Sequence, residues 1–119
     1  MQLLFEESEE KGPHKGLGYL HGKVVRFQQR GIKVPQIGWN QLEVIKKSSL
    51  MQGIQNGGYV YFNHGYYCVP YDSSDVLTMT DYGVRFASSV QRNNIFGVQF
   101  HPEKSQQIGL RLIKNFVEL

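Results

Sequence analysis

With 119 residues, 40% of them hydrophobic and 13% aromatic, the chain is long enough for one modest core and too apolar to be disordered. Its formal net charge of +3 is unevenly spread: Glu6, Glu7, Glu9 and Glu10 sit together, and apart from Lys46-Lys47 the basic residues stand singly, so no stripe marks a nucleic-acid footprint. A single cysteine excludes an internal disulfide framework and fits a reducing compartment, the cytoplasm, while the lack of an apolar run of about 18 residues and the acidic start speak against membrane insertion or secretion.

Met1 to Glu10 is built of helix formers, so a helix is expected there, although no capping residue precedes it. Gly12-Pro13 and Gly16 break that element. The chain then turns to runs rich in Val, Ile, Tyr and Phe: 23–27, 37–45, 59–63, 76–80, 86–90 and 95–100 are expected strands. Asn56-Gly57-Gly58, Asp72-Ser73-Ser74-Asp75, Asp81-Tyr82-Gly83 and Arg92-Asn93-Asn94 supply turn chemistry between them, the last joining a hairpin of 88–90 with 95–97. Ser105 is placed to cap a closing helix whose buried face would be Ile108, Leu112, Ile113, Phe116 and Val117. This order of elements implies an α/β domain, a mixed sheet with at least one face covered.

The chemistry concentrates in Gly97-Val98-Gln99-Phe100-His101-Pro102-Glu103-Lys104-Ser105. An apolar strand delivers His101 just past its end, Pro102 stops the ladder, and Glu103 follows within reach of the ring. Histidine can take a proton from a thiol near neutral pH, and a carboxylate on its other nitrogen fixes the tautomer and stabilises the imidazolium. As a bare His-x-Glu, the pair would read equally as a structural histidine beside a surface acid. His14 and His21 have no partners at metal-ligand spacing, so no metal site is expected. Cys68, between Tyr67 and Val69 in a strand-like run, reads as a packed small residue. Used instead as a nucleophile with His101, it would lack the tight turn or helix N-terminus that lowers a thiol pKa.

The longer string Gly-Val-Gln-Phe-His-Pro-Glu resembles the C-terminal signature of the triad-type, class I glutamine amidotransferases. Together with 34–40, Val-Pro-Gln-Ile-Gly-Trp-Asn, and 59–66, Tyr-Val-Tyr-Phe-Asn-His-Gly-Tyr, it is similar to the glutaminase subunits of imidazole glycerol phosphate synthases, and the likeness runs from Met1 to the C-terminus. The resemblance implies a mixed, mostly antiparallel-augmented sheet flanked by helices, forming the C-terminal portion of a glutaminase domain. It also implies hydrolysis of the side-chain amide of L-glutamine, ammonia channelled to a barrel-shaped cyclase subunit in histidine biosynthesis, and no cofactor. His101 and Glu103 would be general base and orienter. Gln2 and Glu10 would hold polar groups of the substrate, and the backbone at His64, Gly65 and Tyr66 would receive its carboxylate. Gln36, Trp39, Asn40 and Lys104 would face the cyclase, with Gln36 standing where a histidine is more usual. In the family the nucleophile lies in a run Cys-x-Gly-Met-Gln-Leu-Leu, and this sequence matches from Met1-Gln2-Leu3-Leu4 onward, so residues 1–119 are expected to form one partial domain without nucleophile elbow or oxyanion loop.

Several residues keep two readings at this stage. Gln2 and Glu10 also fit an exposed helix face, 64–66 a buried strand, and Trp39 a core position. The chain as a whole fits either part of a glutaminase or a non-catalytic module that docks on a cyclase or on some other protein. Such a partial domain is also expected to expose an apolar face and an open sheet edge, which favours aggregation.

Overall fold

Alternation of buried and exposed side chains organises most of the molecule, which a computed structural model describes over residues 1–119. Ten strands and one long helix follow in the order β1 (Phe5–Ser8), β2 (His14–Lys15), β3 (Leu20–Arg26), β4 (Gln36–Gln41), β5 (Glu43–Val44), β6 (Tyr59–His64), β7 (Tyr66–Pro70), β8 (Val76–Asp81), β9 (Arg85–Arg92), β10 (Ile95–Val98) and α1 (Gln106–Val117). Eight strands form one sheet in the order β2-β1-β3-β7-β9-β8-β5, with β10 also paired to β9, while β4 and β6 make a separate two-stranded ribbon. Only β1 and β3 run parallel; every other pair is antiparallel. The hairpin expected across Asn93-Asn94 is present, with Gly97 opposite Val90 and Asn93 at a φ of 54°.

The two faces of the sheet bury separate clusters. Phe27, Phe62, Phe86, Leu77, Phe100 and Leu112 pack between sheet, ribbon and helix. Phe5, Leu20, Val24, Cys68, Ala87 and Val90 pack on the opposite face. Cys68 stands in one row with Val24 and Ala87 across three neighbouring strands.

The structure corrects the opening helix. Only Gln2–Leu4 coils, as a short 3-10 turn, and Phe5–Ser8 is strand β1. Phe5 is fully buried and pairs in register with Leu20, so its place in the core outweighs the helix propensity of the glutamates after it. The buried face of α1 is also narrower than the sequence suggests. Leu112 is buried and Ile108 packs against the core, but Phe116 and Val117 are exposed. Asn115 takes their place, its Nδ2 donating to the carbonyl oxygens of Leu50 at 2.8 Å and Gln52 at 2.7 Å. Exposed apolar side chains lie on α1 (Leu110, Ile113, Phe116, Val117), on the ribbon (Ile37, Trp39, Tyr59) and in the segments that flank the main-sheet strands (Leu3, Leu17, Tyr19, Ile45, Tyr71). No helix is long and apolar enough to cross a membrane.

Candidate active site

The turn that follows β10 is built to hold His101 at a fixed place. Phe100 plugs into the core at 2% exposure, so the chain is anchored one residue before the histidine. The His101 backbone N–H donates to the Tyr61 carbonyl at 2.9 Å, and the Tyr61 N–H donates to Ser105 Oγ at 3.0 Å. Both backbone groups of Tyr61 are therefore taken by residues four apart, and the turn docks on the free edge of β6 as a short strand would. Ser105 Oγ in turn donates to the His101 carbonyl at 2.6 Å. This corrects the capping role expected for Ser105: its hydroxyl is buried and makes no bond to the helix N-terminus. Pro102 opens a 3-10 turn over Pro102–Lys104. Gly109 lets α1 close on that turn, since a Cβ there would overlap the Pro102 carbonyl oxygen.

Within this frame His101 Nδ1 lies 2.8 Å from Glu103 Oε1. The Glu103 carboxyl is held below its ordinary range, chiefly by its own backbone N–H and then by the His101 ring. A carboxylate ionised at neutral pH only accepts, so Nδ1 carries the hydrogen and Nε2 presents its lone pair. The imidazole is part-exposed, 40% at the side chain. Tyr61 sits beside it with ring centroids 6.3 Å apart, and Lys104 Nζ lies 5.6 Å from the centroid of the Tyr61 ring. Trp39, 47% exposed, meets the other side of Tyr61 at 6.0 Å. Trp39 and Tyr61 are cross-strand partners, so the outward face of the ribbon carries an aromatic pair directly beside the histidine.

The inward face carries a second polar group. His64 Nδ1 lies 2.6 Å from the Tyr66 carbonyl oxygen, and its Nε2 lies 2.7 Å from Gln36 Oε1 as the amide is placed. Gln2 Nε2 donates to that same Tyr66 carbonyl at 3.0 Å and to Gln99 Oε1 at 3.0 Å. Gln2, His64, Gly65 and Tyr66, named from separate parts of the sequence, are thereby brought together. Gln36 joins them, and at 3% exposure it presents no side chain to a partner, against the interface place expected for it. Asn40 is half-buried and donates from Nδ2 to the Asp81 carbonyl at 2.8 Å. Glu10 makes none of these contacts but lines, with Gln2, Lys11, His14 and Lys15, an open groove of about 510 Å³.

Cys68 cannot serve His101 from its row in the sheet. It is 1% exposed, and burial pushes its thiol up to about 12. No three His, Cys, Asp or Glu side chains converge closely enough to hold a metal ion. Sequence reasoning missed Ser105 as a brace, Tyr61 as the platform and Gln99 as the partner of Gln2. Gln99 had a signal, since it faces the side of its strand opposite Phe96 and Val98 within the His-Pro-Glu string; Tyr61 acts through its backbone and Ser105 through its hydroxyl, in a contact across 44 residues that no local pattern records.

Known proteins resemble the chain in sequence and in fold. The family described as glutamine amidotransferase class-I matches residues 1–119. Imidazole glycerol phosphate synthase subunit HisH of Syntrophotalea carbinolica is 50% identical over 125 residues, covering 100% of this chain and 61% of its own length. HisH of Aquifex aeolicus is 53% identical, covering 98% of this chain and 56% of its own length. HisH of Pyrococcus furiosus is 52% identical, with 100% and 61% covered. The chain thus spans about three-fifths of the length of these relatives. Among solved structures, a putative GMP synthase component of Thermoplasma acidophilum superposes with a TM-score of 0.65 at 20% identity, over 82% of this chain and 47% of that one. PurLQS of Thermotoga maritima gives 0.66 at 19% identity, over 86% and 54%. At such identity the two structures bear on the fold alone, and they share it; with the sequence matching along its whole length, the chain belongs to the class-I glutamine amidotransferase family.

Proposed function

We propose that residues 1–119 supply the general base, its orienting carboxylate and one wall of the substrate pocket of a glutaminase that hydrolyses L-glutamine to glutamate and ammonia. The observation that carries this reading is the 2.8 Å contact of His101 Nδ1 with Glu103, on a turn braced at both ends against Tyr61. His101 Nε2 removes the proton from a cysteine thiol, and the thiolate attacks the side-chain carbonyl carbon of glutamine. The imidazolium returns that proton to the amide nitrogen, the C–N bond breaks and ammonia departs, and the γ-glutamyl group remains on the sulfur as a thioester. Water, deprotonated by the same Nε2, then releases glutamate and restores the thiol. Glu103 holds the ring in the tautomer this needs and stabilises its charged form. Because Cys68 is buried with a raised pKa, the thiol in this reading comes from polypeptide outside residues 1–119. Gln2 and Glu10 hold polar groups of the substrate, and the backbone at Gly65 and Tyr66 receives its carboxylate.

The ammonia, as the family resemblance implies, passes to a cyclase subunit, in keeping with relatives that are named as subunits of imidazole glycerol phosphate synthase. The exposed Trp39, beside Tyr61 and Lys104, provides the docking face for it. The test is glutamate release by the polypeptide read through, in frame, from the codons preceding Met1. Activity is expected there, with His101→Asn reducing kcat by roughly 10⁴-fold or more. The isolated 119-residue chain should release none. Glutamate release from that isolated chain, or an active His101→Asn enzyme, would overturn the assignment, and an in-frame stop directly upstream would leave the docking module as the surviving reading.

A further inference from the structure

Buried polar side chains that no catalytic step uses converge where the chain passes from the ribbon into the main sheet. β6 ends at His64 and β7 begins at Tyr66, so Gly65 is the corner between two separately paired layers. Gly65 rests against Val34 and Pro35, and its carbonyl accepts from the Phe27 N–H at 3.2 Å. His64 spans the corner by bonding the Tyr66 carbonyl. Its ring is enclosed by Phe27, Phe62 and Phe86, with centroids 5.2, 5.5 and 5.2 Å away. No carboxylate faces it, and the charged group that bears on it is His101, of the same sign when protonated. Burial in this apolar cage lowers the His64 pKa, which keeps the ring neutral.

Neutrality settles the direction of both hydrogen bonds. A carbonyl can only accept, so Nδ1 bears the hydrogen and points it at Tyr66. Nε2 then has a lone pair and needs a donor. The Gln36 amide is placed with Oε1 toward the ring, but its two orientations have the same shape, and a neutral ring is satisfied only by the reversed one, which turns the NH₂ group toward Nε2. The Tyr66 carbonyl thereby receives two donors, His64 Nδ1 and Gln2 Nε2, filling both its lone pairs.

We infer that Gln36 and the side chain of His64 are positioning residues of the glutamine pocket: Gln36 donates to His64 Nε2, His64 donates from Nδ1 to the Tyr66 carbonyl, and this brace fixes the corner whose backbone receives the substrate. Gln36 thus passes from an interface residue to the far end of a chain that runs through His64 and Tyr66 to Gln2, and from Gln2 to Gln99, two positions before His101. A wall that contacts the unreacting end of glutamine grips ground state and transition state alike, so loosening it raises KM and leaves kcat nearly unchanged.

The inference rests on the glutaminase reading for its kinetic arm and stands on its own for its protonation arm. The variants are Gln36→Met, which keeps volume and removes the donor, and Gln36→Glu, whose carboxylate accepts from a doubly protonated ring and so retains the Nδ1 hydrogen. Imidazole ¹⁵N shifts of His64 in the 119-residue chain at neutral pH are expected to show Nδ1 protonated and Nε2 bare; a protonated Nε2 there overturns the inference. In the read-through enzyme, Gln36→Met should raise the KM for glutamine about tenfold, the scale of one buried hydrogen bond, with kcat within about threefold. Gln36→Glu should return KM to near the original value. An unchanged KM in Gln36→Met, or two variants equally impaired, overturns the positioning role. An inactive parent enzyme defeats the glutaminase reading instead, and the ring shifts still decide whether the brace exists.

Discussion

His101 and His64 are the same side chain in opposite surroundings, only a ribbon's thickness apart in their relation to β6. His101 docks on the outer edge of that strand, part-exposed, with an ionised carboxylate on Nδ1 and a free Nε2. His64 projects from the inner face of the same strand, 7% exposed, with both nitrogens engaged and three phenyl rings around it. A histidine that must gain and lose protons needs solvent access and a counter-charge for its cationic form. A histidine that must hold a backbone corner needs the reverse, a dry site where one tautomer is the sole stable state. One strand serves both because its backbone edge at Tyr61 holds the turn that carries His101, while its own inward side chain at position 64 is His64.

The largest way to break this contrast is to remove the counter-charge from His101. Glu103→Gln keeps the shape and can still meet Nδ1, but it cannot stabilise the imidazolium and permits the wrong tautomer. The expected loss in kcat is roughly 10³- to 10⁴-fold, by analogy with triads whose acid is replaced. Steady-state glutamate release of the read-through enzyme measures it. A loss under about tenfold would return Glu103 to an ordinary surface acid.

How the sequence carried this information differed from one histidine to the other. His101 announced itself through short-range order: an apolar strand, a proline stop and an acid two residues on, all of which the structure keeps within one turn. The partners of His64 lie 28 residues before it and two after it, and nothing local distinguishes Gln36 in β4 from a solvent-facing glutamine. The same limit explains the opening segment, where Phe5 pairs with Leu20 and the glutamates that follow have no say in the outcome. It explains α1 as well, because Asn115 is buried by carbonyls of Leu50 and Gln52 that arrive from more than 60 residues away. Strands with strong β-branched and aromatic content were legible, since their pattern needs only alternation.

The outer face offers a second, smaller test. Trp39 is 47% exposed and packs edge-on against Tyr61, so its removal should leave the fold intact and weaken docking. Trp39→Ala is expected to raise the Kd for the cyclase subunit by about 30-fold or more, the effect of losing an aromatic anchor, with an unchanged thermal midpoint. Titration calorimetry and thermal unfolding read the two quantities separately. Asn40→Ala reverses the signature: its Nδ2 ties the ribbon to the Asp81 carbonyl, so stability should fall and affinity change less. Equal affinities in the original protein and Trp39→Ala would remove the docking face from this side of the molecule.

The finest distinction is the pH dependence that each environment imposes on stability. The folded-state pKa of His64 lies below the unfolded value of about 6.5, with burial as the main cause. Above that unfolded value the ring is neutral in both states and contributes no slope. As pH falls below it, unfolded chains take up a proton that the folded protein refuses, so the unfolded state binds more protons and stability declines with acid until the folded pKa is reached. Glu103 acts in a separate window: its folded pKa is depressed below about 4.5, so its contribution is present above that value and is lost only as pH drops further. Denaturant midpoints between pH 7 and 5 should therefore fall with acid in the original chain and fall less in His64→Gln, whose amide carries no charge, while Glu103→Gln should keep the same slope across this interval. An identical slope in His64→Gln would mean that the inner histidine accepts a proton as readily in the folded protein as in the unfolded chain, and the dry site assigned to it would lose its physical basis.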